Sequence, residues 1–188
     1  TKQNWADDAP TLKSHLYKYR EIMEQRRENQ NGRISYMHLH WPRDEHFFVP
    51  GEKILAVRKS VGHPIFAYTT KAAYVMMAVN VIKTNRWDMR YLTGVLNSTL
   101  VAYWLRHKGK MQGENYQIDK EPLLAIPLPD IGKLEQLPIS DLVSKVLDAK
   151  KVDPDADTSA MESEIDALVY KLYGLTDEEI AVVEGKKN

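Results

Sequence analysis

The sequence predicts an α+β fold: a mixed β-sheet core flanked by helices, with a helical C-terminal extension. Three observations predict it. Apolar residues between 11 and 28 recur at helical spacing, and between Arg33 and Lys83 β-branched and aromatic runs alternate with turn signals. From Ile139 onward helical spacing returns on an acidic background. The chain divides accordingly into an N-terminal linker helix (1–32), an α+β core (33–130) and a helical extension (131–188).

Leu12, Leu16, Tyr19, Met23 and Arg26 set the stripe of the first helix, and Asn31-Gly32 ends it. Expected strands are Ile34–Leu39, Lys53–Arg58, Ile65–Tyr68 and Tyr74–Lys83, punctuated by Pro42, Pro50-Gly51 and Gly62-His63-Pro64. Val75 to Ile82 is almost wholly apolar, which predicts a central strand buried on both faces. A second helix starts at Asp88, whose carboxylate suits a helix N-terminus, and runs through Met89, Leu92, Leu96, Leu100 and Tyr103 to about His107. Gly109–Asn115 reads as an exposed polar loop, and Leu123 to Pro129, alternating with proline, as an extended segment. In the tail, Ile139, Leu142, Val143, Val146 and Leu147 share a face. Ser159 with Glu162 forms a capping-box pattern, Gly174 a stop, and Thr176 with Glu179 opens a last short helix.

The 188 residues carry no net charge, but residues 1–110 hold 18 Lys/Arg against 9 Asp/Glu, and residues 111–188 hold 8 against 17. A basic first half points to an anionic partner, and an acidic second half to a solvated helical region; plain solvated faces remain the alternative. There is no cysteine, which fits a reducing cytosol and excludes thiol catalysis and Cys-ligated zinc. The longest apolar run, Ala72 to Ile82, is interrupted by Asn80 and is too short to span a bilayer, so a cytoplasmic protein is expected. The first residue is Thr1 rather than Met, which reads as an excised fragment.

The sequence lacks the catalytic signatures of methyl transfer and of metal-dependent DNA cleavage. The chain has no Pro-Pro pair, which an Asn/Asp-Pro-Pro-aromatic adenine-methylating tetrad requires, and Gly109, Gly113 and Gly132 lie too far apart for a phosphate cradle. Metal-dependent nuclease spacing fails twice: Pro129-Asp130 and Glu135 lead to Leu137, and Pro154-Asp155 and Glu162 lead to Glu164, where a lysine is needed. His38 and His40, with His46 nearby, could share a strand face as metal ligands, but no third ligand is in register, and a polar strand face is the preferred reading. No metal site is assigned.

Several stretches together resemble one known family. They are Arg26-Arg27-Glu28 with Gly32-Arg33-Ile34 and Leu39-His40-Trp41-Pro42-Arg43, then Glu52-Lys53-Ile54-Leu55, Arg58 and Pro64-Ile65-Phe66-Ala67-Tyr68. Asn80-Val81-Ile82, Tyr91-Leu92-Thr93-Gly94-Val95-Leu96-Asn97-Ser98, Ile126-Pro127-Leu128-Pro129 and Val169-Tyr170-Lys171-Leu172-Tyr173-Gly174-Leu175 complete the set. The pattern is similar to the TaqI-like C-terminal specificity domain of type II and IIG restriction–modification enzymes and N6-adenine DNA methyltransferases, although Thr69 stands where that family often has aspartate. The resemblance implies a non-catalytic module that reads double-stranded DNA beside a methyltransferase domain of the parent chain. It implies no cofactor for this chain; S-adenosylmethionine and magnesium would serve the parent enzyme. Two other readings stay open: a protein–protein docking module using the acidic tail, and the specificity domain of a phage-defence methyltransferase that lacks a nuclease.

Reading DNA takes cations for phosphates and forked or amide side chains for base edges. Arg33, His38, His40, Arg43, Lys53, Arg58, Lys59 and His63 supply these along the strand-rich stretch. Arg106, Lys108, Lys110, Gln112 and Asn115, with His107, supply them in and before the expected loop. Of the aromatics that could stack on bases, Tyr17, Tyr19, Trp41, Tyr74, Trp87, Tyr103, Trp104 and Tyr116, most are assigned to core packing.

Overall fold

A computed structural model describes residues 9–38 and 44–186. The chain forms two compact units, residues 1–44 and 45–188.

In the first unit the expected continuous helix is three short ones: α1 (Pro10–Tyr17), α2 (Arg20–Glu24) and α3 (Arg27–Gln30). None of them buries a residue, and Leu12, Tyr17, Tyr19 and Ile22 are exposed. Helices this short lack the packing that normally sustains a helix in water. Arg26 breaks the run with an extended backbone (φ −60°, ψ 135°). Its guanidinium donates to the carbonyls of Ser35, Tyr36 and His38 at 3.1–3.2 Å. Those bonds organise turns over residues 34–38, where a strand was expected; Leu39 lies outside the described residues.

The second unit opens with a 3₁₀ turn at Glu45–Phe47 and then four strands: β1 (Lys53–Val57), β2 (Lys59–Val61), β3 (Phe66–Thr69) and β4 (Val79–Ile82). Helices α4 (Met89–Asn97) and α5 (Thr99–Lys108) follow, then a hairpin of β5 (Lys110–Gln112) and β6 (Asn115–Gln117), and helix α6 (Lys120–Leu124). Helices α7 (Lys133–Val152), α8 (Ser159–Tyr173) and α9 (Asp177–Val183) complete the chain. The α+β class holds. Among the described residues its sheet content is two three-stranded sheets, ordered β3-β1-β4 and β2-β6-β5, and every described pairing is antiparallel.

Strand β4 is shorter and more exposed than its apolar sequence suggests. It is an edge strand, half-buried along its length, and Met76 and Met77 before it are 82% and 75% exposed. The expected strand from Tyr74 therefore reduces to Val79–Ile82. The expected single helix from Asp88 to His107 is likewise two. Ser98 takes an extended backbone (ψ 154°), and its hydroxyl accepts from the Val101 amide, so it ends α4 and caps α5. Asp88 caps α4 as expected, accepting from the Arg90 and Tyr91 amides at 2.9 Å.

Helix α4 is the hub of the core. It buries Tyr91, Leu92, Val95 and Leu96 against Ile54, Ala56 and Phe66 of the first sheet and Ile139, Leu142 and Val143 of α7. Gly94 makes the α4–α7 crossing close: a Cβ there would fall 2.6 Å from Ile139 Cγ2. Ile165 and Val169 of α8 join the same core. Gly174 ends α8 in the left-handed region, and Thr176 with Glu179 forms the capping box of α9, both as the sequence indicates. The start of α8 shifts by one residue: Thr158 holds the N-cap position, and its hydroxyl donates to Glu162 at 2.6 Å. Leu123 and Leu124 fall in α6 rather than in an extended segment, which is confined to the residues that follow.

Candidate nucleic-acid interface

The segment expected as a loop, Gly109–Asn115, is a hairpin. Met111 pairs with Tyr116 and Gln112 with Asn115, leaving Gly113-Glu114 as a two-residue turn. Gly113 has φ +62°, and among the described residues no non-glycine residue has positive φ, so the turn has positive φ at its first position only, the type II′ pattern. Gly109 joins the hairpin directly to α5. Its amide donates to Leu105 at 2.8 Å, and a Cβ at this position would fall 2.5 Å from the Leu105 carbonyl oxygen. The hairpin is thereby aimed by a rigid helix.

β2 adds to this hairpin, and its register brings together the two basic groups that lie some fifty residues apart in the chain. Lys59 pairs with Gln117 and Gln117 with Lys110; one step on, Ser60 pairs with Tyr116 and Tyr116 with Met111; then Val61 pairs with Asn115 and Asn115 with Gln112. Successive side chains alternate across a sheet. The middle row faces inward: Ser60 and Tyr116 are buried and Met111 half-buried against the core. The outer rows form the other face, Lys59–Gln117–Lys110 and Val61–Asn115–Gln112, all exposed except the half-buried Gln117.

A polar cluster closes one end of this face. The Asp119 carboxylate accepts from Arg58 Nη2 at 2.8 Å and Gln117 Nε2 at 3.0 Å, and Lys110 Nζ stands at 3.5 Å. The Arg58 bond, then the Gln117 and Lys110 interactions, hold the Asp119 carboxyl below the usual carboxylate range. Arg58 is also the seam of the two sheets: its amide donates to Ala78, and its carbonyl accepts from Ile118. At the turn end, Arg106 pairs with Glu114 at 3.3 Å, and Lys59 Nζ donates to Gln112 Oε1 at 3.3 Å.

Of the residues singled out in the sequence, Arg58, Lys59, Lys110, Gln112 and Asn115 meet on or beside this sheet, and Arg106 and Lys108 occupy the last turn of α5 leading into it. His63 is exposed in the turn between β2 and β3, its Nδ1 donating to the Pro64 carbonyl. Lys53 leaves the solvent-facing set. Its side chain is fully buried, and Nζ donates to the Val49 and Lys71 carbonyls at 2.7 Å, which makes it a structural strut. Arg33 and His38 belong to the first unit, where His38 Nδ1 lies 2.6 Å from the Ser35 hydroxyl. His40, Arg43 and Trp41 lie outside the described residues. Trp87, Trp104 and Tyr116 pack in or against the core, whereas Tyr17, Tyr19 and Tyr74 are exposed. Gln117 and Asp119 were missed. The polar–apolar–polar alternation Asn115-Tyr116-Gln117 was the available signal for Gln117.

Elsewhere a cavity of about 550 Å³ opens between β3, α4, α7 and α8, lined by Phe66, Gly94, Asn97, Val143 and Ile165. Its polar groups already serve the fold: Asn97 bonds both backbone polar groups of Phe66, and Asp166 accepts from the Thr99 amide and hydroxyl at 2.8 and 2.6 Å. Among the described residues no helix is long and apolar enough to cross a membrane.

A family model described as the TaqI-like C-terminal specificity domain fits residues 11–128, which include both sheets, α4, α5 and the hairpin. No curated protein matches the chain.

Proposed function

The chain belongs to the TaqI-like C-terminal specificity domain family, and from that premise we propose that it reads double-stranded DNA with the outer face of the β2-β6-β5 sheet. The membership itself supports a target-recognition role in restriction–modification. The single observation that carries the finer reading is the register that sets two lysines and three amides on one surface. Lysines neutralise phosphates, and amides address base edges in the major groove.

In this reading the adenine-N6 methyltransfer, with its S-adenosylmethionine and any magnesium, belongs to another domain of a cytoplasmic parent protein. Among the described residues no three His, Asp or Glu side chains are placed to hold a metal, and the chain carries no Pro-Pro tetrad. A docking role for the tail keeps one observation in its favour: an apolar groove between α5 and α9, lined by Leu100, Tyr103, Trp104, Leu175, Val182 and Val183. The two surfaces are separable by experiment. Photocrosslinkers placed at Asn115 and at Val182 of the whole chain, mixed with labelled duplex, should capture DNA from Asn115 only. Capture from Val182 alone, or from neither at about 50 mM salt, where phosphate binding is strong, would refute the proposal.

A further inference from the structure

The interface has a built-in polarity at its centre. Gln117 lies on the middle strand, opposite Lys59 on one side and Lys110 on the other. A carboxamide has a donor end and an acceptor end, and either can face outward unless a neighbour decides. Here Asp119 decides. An ionised carboxylate only accepts, so the amide end 3.0 Å from Asp119 Oδ2 is Nε2. Gln117 Oε1 is then the end turned away from the carboxylate, and among the described residues it has no hydrogen-bond donor. Asp119 is itself fixed by Arg58 at 2.8 Å and Lys110 at 3.5 Å. Its side chain is only 14% exposed, and those cations favour its charged form.

We propose that Asp119 is a positioning residue that locks Gln117 as an acceptor-presenting base reader, so that the sheet selects a base bearing an exocyclic amino group, adenine or cytosine, at the position Gln117 meets. The inference rests on the reading that this face meets the major groove. There the only base donors are the amino groups of adenine and cytosine, whereas guanine and thymine edges would set acceptor against acceptor. Adenine is the better partner, because it alone offers an amino donor to Oε1 beside an N7 acceptor for the second Nε2 proton; guanine or thymine can take that proton only while Oε1 is left facing an acceptor or no donor at all. Gln112 has the opposite bias: its Oε1 is taken by Lys59 Nζ at 3.3 Å, which leaves its amino end outward.

The test is selection of duplexes from a randomised library by the whole chain, followed by sequencing, for wild type, Gln117→Leu and Asp119→Asn, with thermal unfolding of each. Wild type should enrich adenine, then cytosine, at one position. Gln117→Leu should lose that preference by about 5- to 150-fold, the range for one good base contact. Asp119→Asn, whose amide can face Gln117 with either end, should broaden the same position to thymine and guanine. A merely structural aspartate would instead weaken binding to all sequences alike. Should Asp119→Asn fail to fold, Gln117→Leu alone carries the test. Salt-sensitive binding whose preferences all survive Gln117→Leu, or a Gln117-dependent preference for thymine or guanine, overturns this inference and leaves DNA reading intact. No binding by wild type at about 50 mM salt overturns both.

Discussion

Replacing Lys59 and Lys110 together by alanine isolates the electrostatic share of binding. Both ammonium groups lie in the same row of the outer face, flanking Gln117 across the register. Neither is committed to the fold. Among the described residues Lys59 Nζ reaches only the exposed Gln112 side chain, at 3.3 Å. Lys110 is 70% exposed, and at 3.5 Å it is the longest of the polar contacts to Asp119, after Arg58 at 2.8 Å and Gln117 at 3.0 Å. An ammonium has three donors, so each lysine can take one phosphate beside its present contact.

Each neutralised phosphate contributes a slope of about −0.9 in log K against log salt, so the double variant should lose about 1.8 of slope. Between 50 and 200 mM salt that makes the wild-type chain fall roughly 12-fold further than the variant. Fluorescence anisotropy with a labelled duplex over this salt range reads both slopes. Lys150→Ala is the control, because Lys150 donates to the Ala156 carbonyl on the helical tail and should leave the slope unchanged. A double variant with the wild-type slope would show that these lysines meet no phosphates and would remove the sheet face from the interface.

Further outcomes follow from the frame that holds this face. Gly94→Ala should destabilise the chain by about 1–3 kcal/mol, the usual cost of overpacking, because its methyl group would meet Ile139 and Val143 at 2.6 and 3.0 Å; denaturant unfolding reads the loss. Asp88→Ala should cost about 1 kcal/mol as a lost N-cap, and should also leave Ser140 Oγ without its 2.8 Å acceptor. Burial of Asp88 pushes its carboxyl up, but bonds from the Tyr91 amide, Ser140 and the Arg90 amide outweigh it, and the net shift is downward from 3.8. Its stabilisation is therefore complete above pH 3.8 and lost as pH falls through the lower folded value, a loss that Asp88→Asn should abolish in acid unfolding. Gly113→Ala meets no atom within 4 Å, so its cost is the strain of φ +62° alone, on the order of 1–2 kcal/mol; it should weaken DNA binding through the hairpin more than it lowers the unfolding midpoint of the core.

What the sequence made legible was what local chemistry decides. The caps at Asp88 and Thr176 and the stop at Gly174 depend on one side chain or one backbone angle, and they stand where the residues put them. Long-range context hid the rest. Val75 to Ile82 reads as a buried strand by composition, yet only its last four residues pair, and they do so at a sheet edge. The helical stripe over 11–28 has no core in the described residues to bury it. The polar hairpin escaped notice because Lys110-Met111-Gln112 carries a single apolar residue, too short a pattern for a strand signal, until β2 from fifty residues upstream pairs with its partner. Lys53 shows the converse: a lysine in a basic stretch reads as a surface charge, and only the fold supplies the two carbonyls that bury it.

On the proposed function, the period of two in this sheet separates reading from folding. Ser60, Tyr116 and Met111 face inward and tie the sheet to the α4–α5 core, while Lys59, Gln117, Lys110, Asn115 and Gln112 alternate with them on the outside. A change of an outer side chain other than Gln117 leaves every inner contact in place, so recognition could diverge without a stability cost in the core. Gln117 is the exception, since it is half-buried and bonded to Asp119, which in turn restrains Arg58 at the seam of the two sheets. Substitutions at Asn115 and Gln112 should therefore alter base preference alone. A substitution at Gln117 also acts on Asp119 and, through it, on the junction that sets the angle of the whole face. If this face reads DNA as proposed, the central amide is the point at which specificity and architecture are coupled, and new target preferences are most readily reached from the outer strands inward.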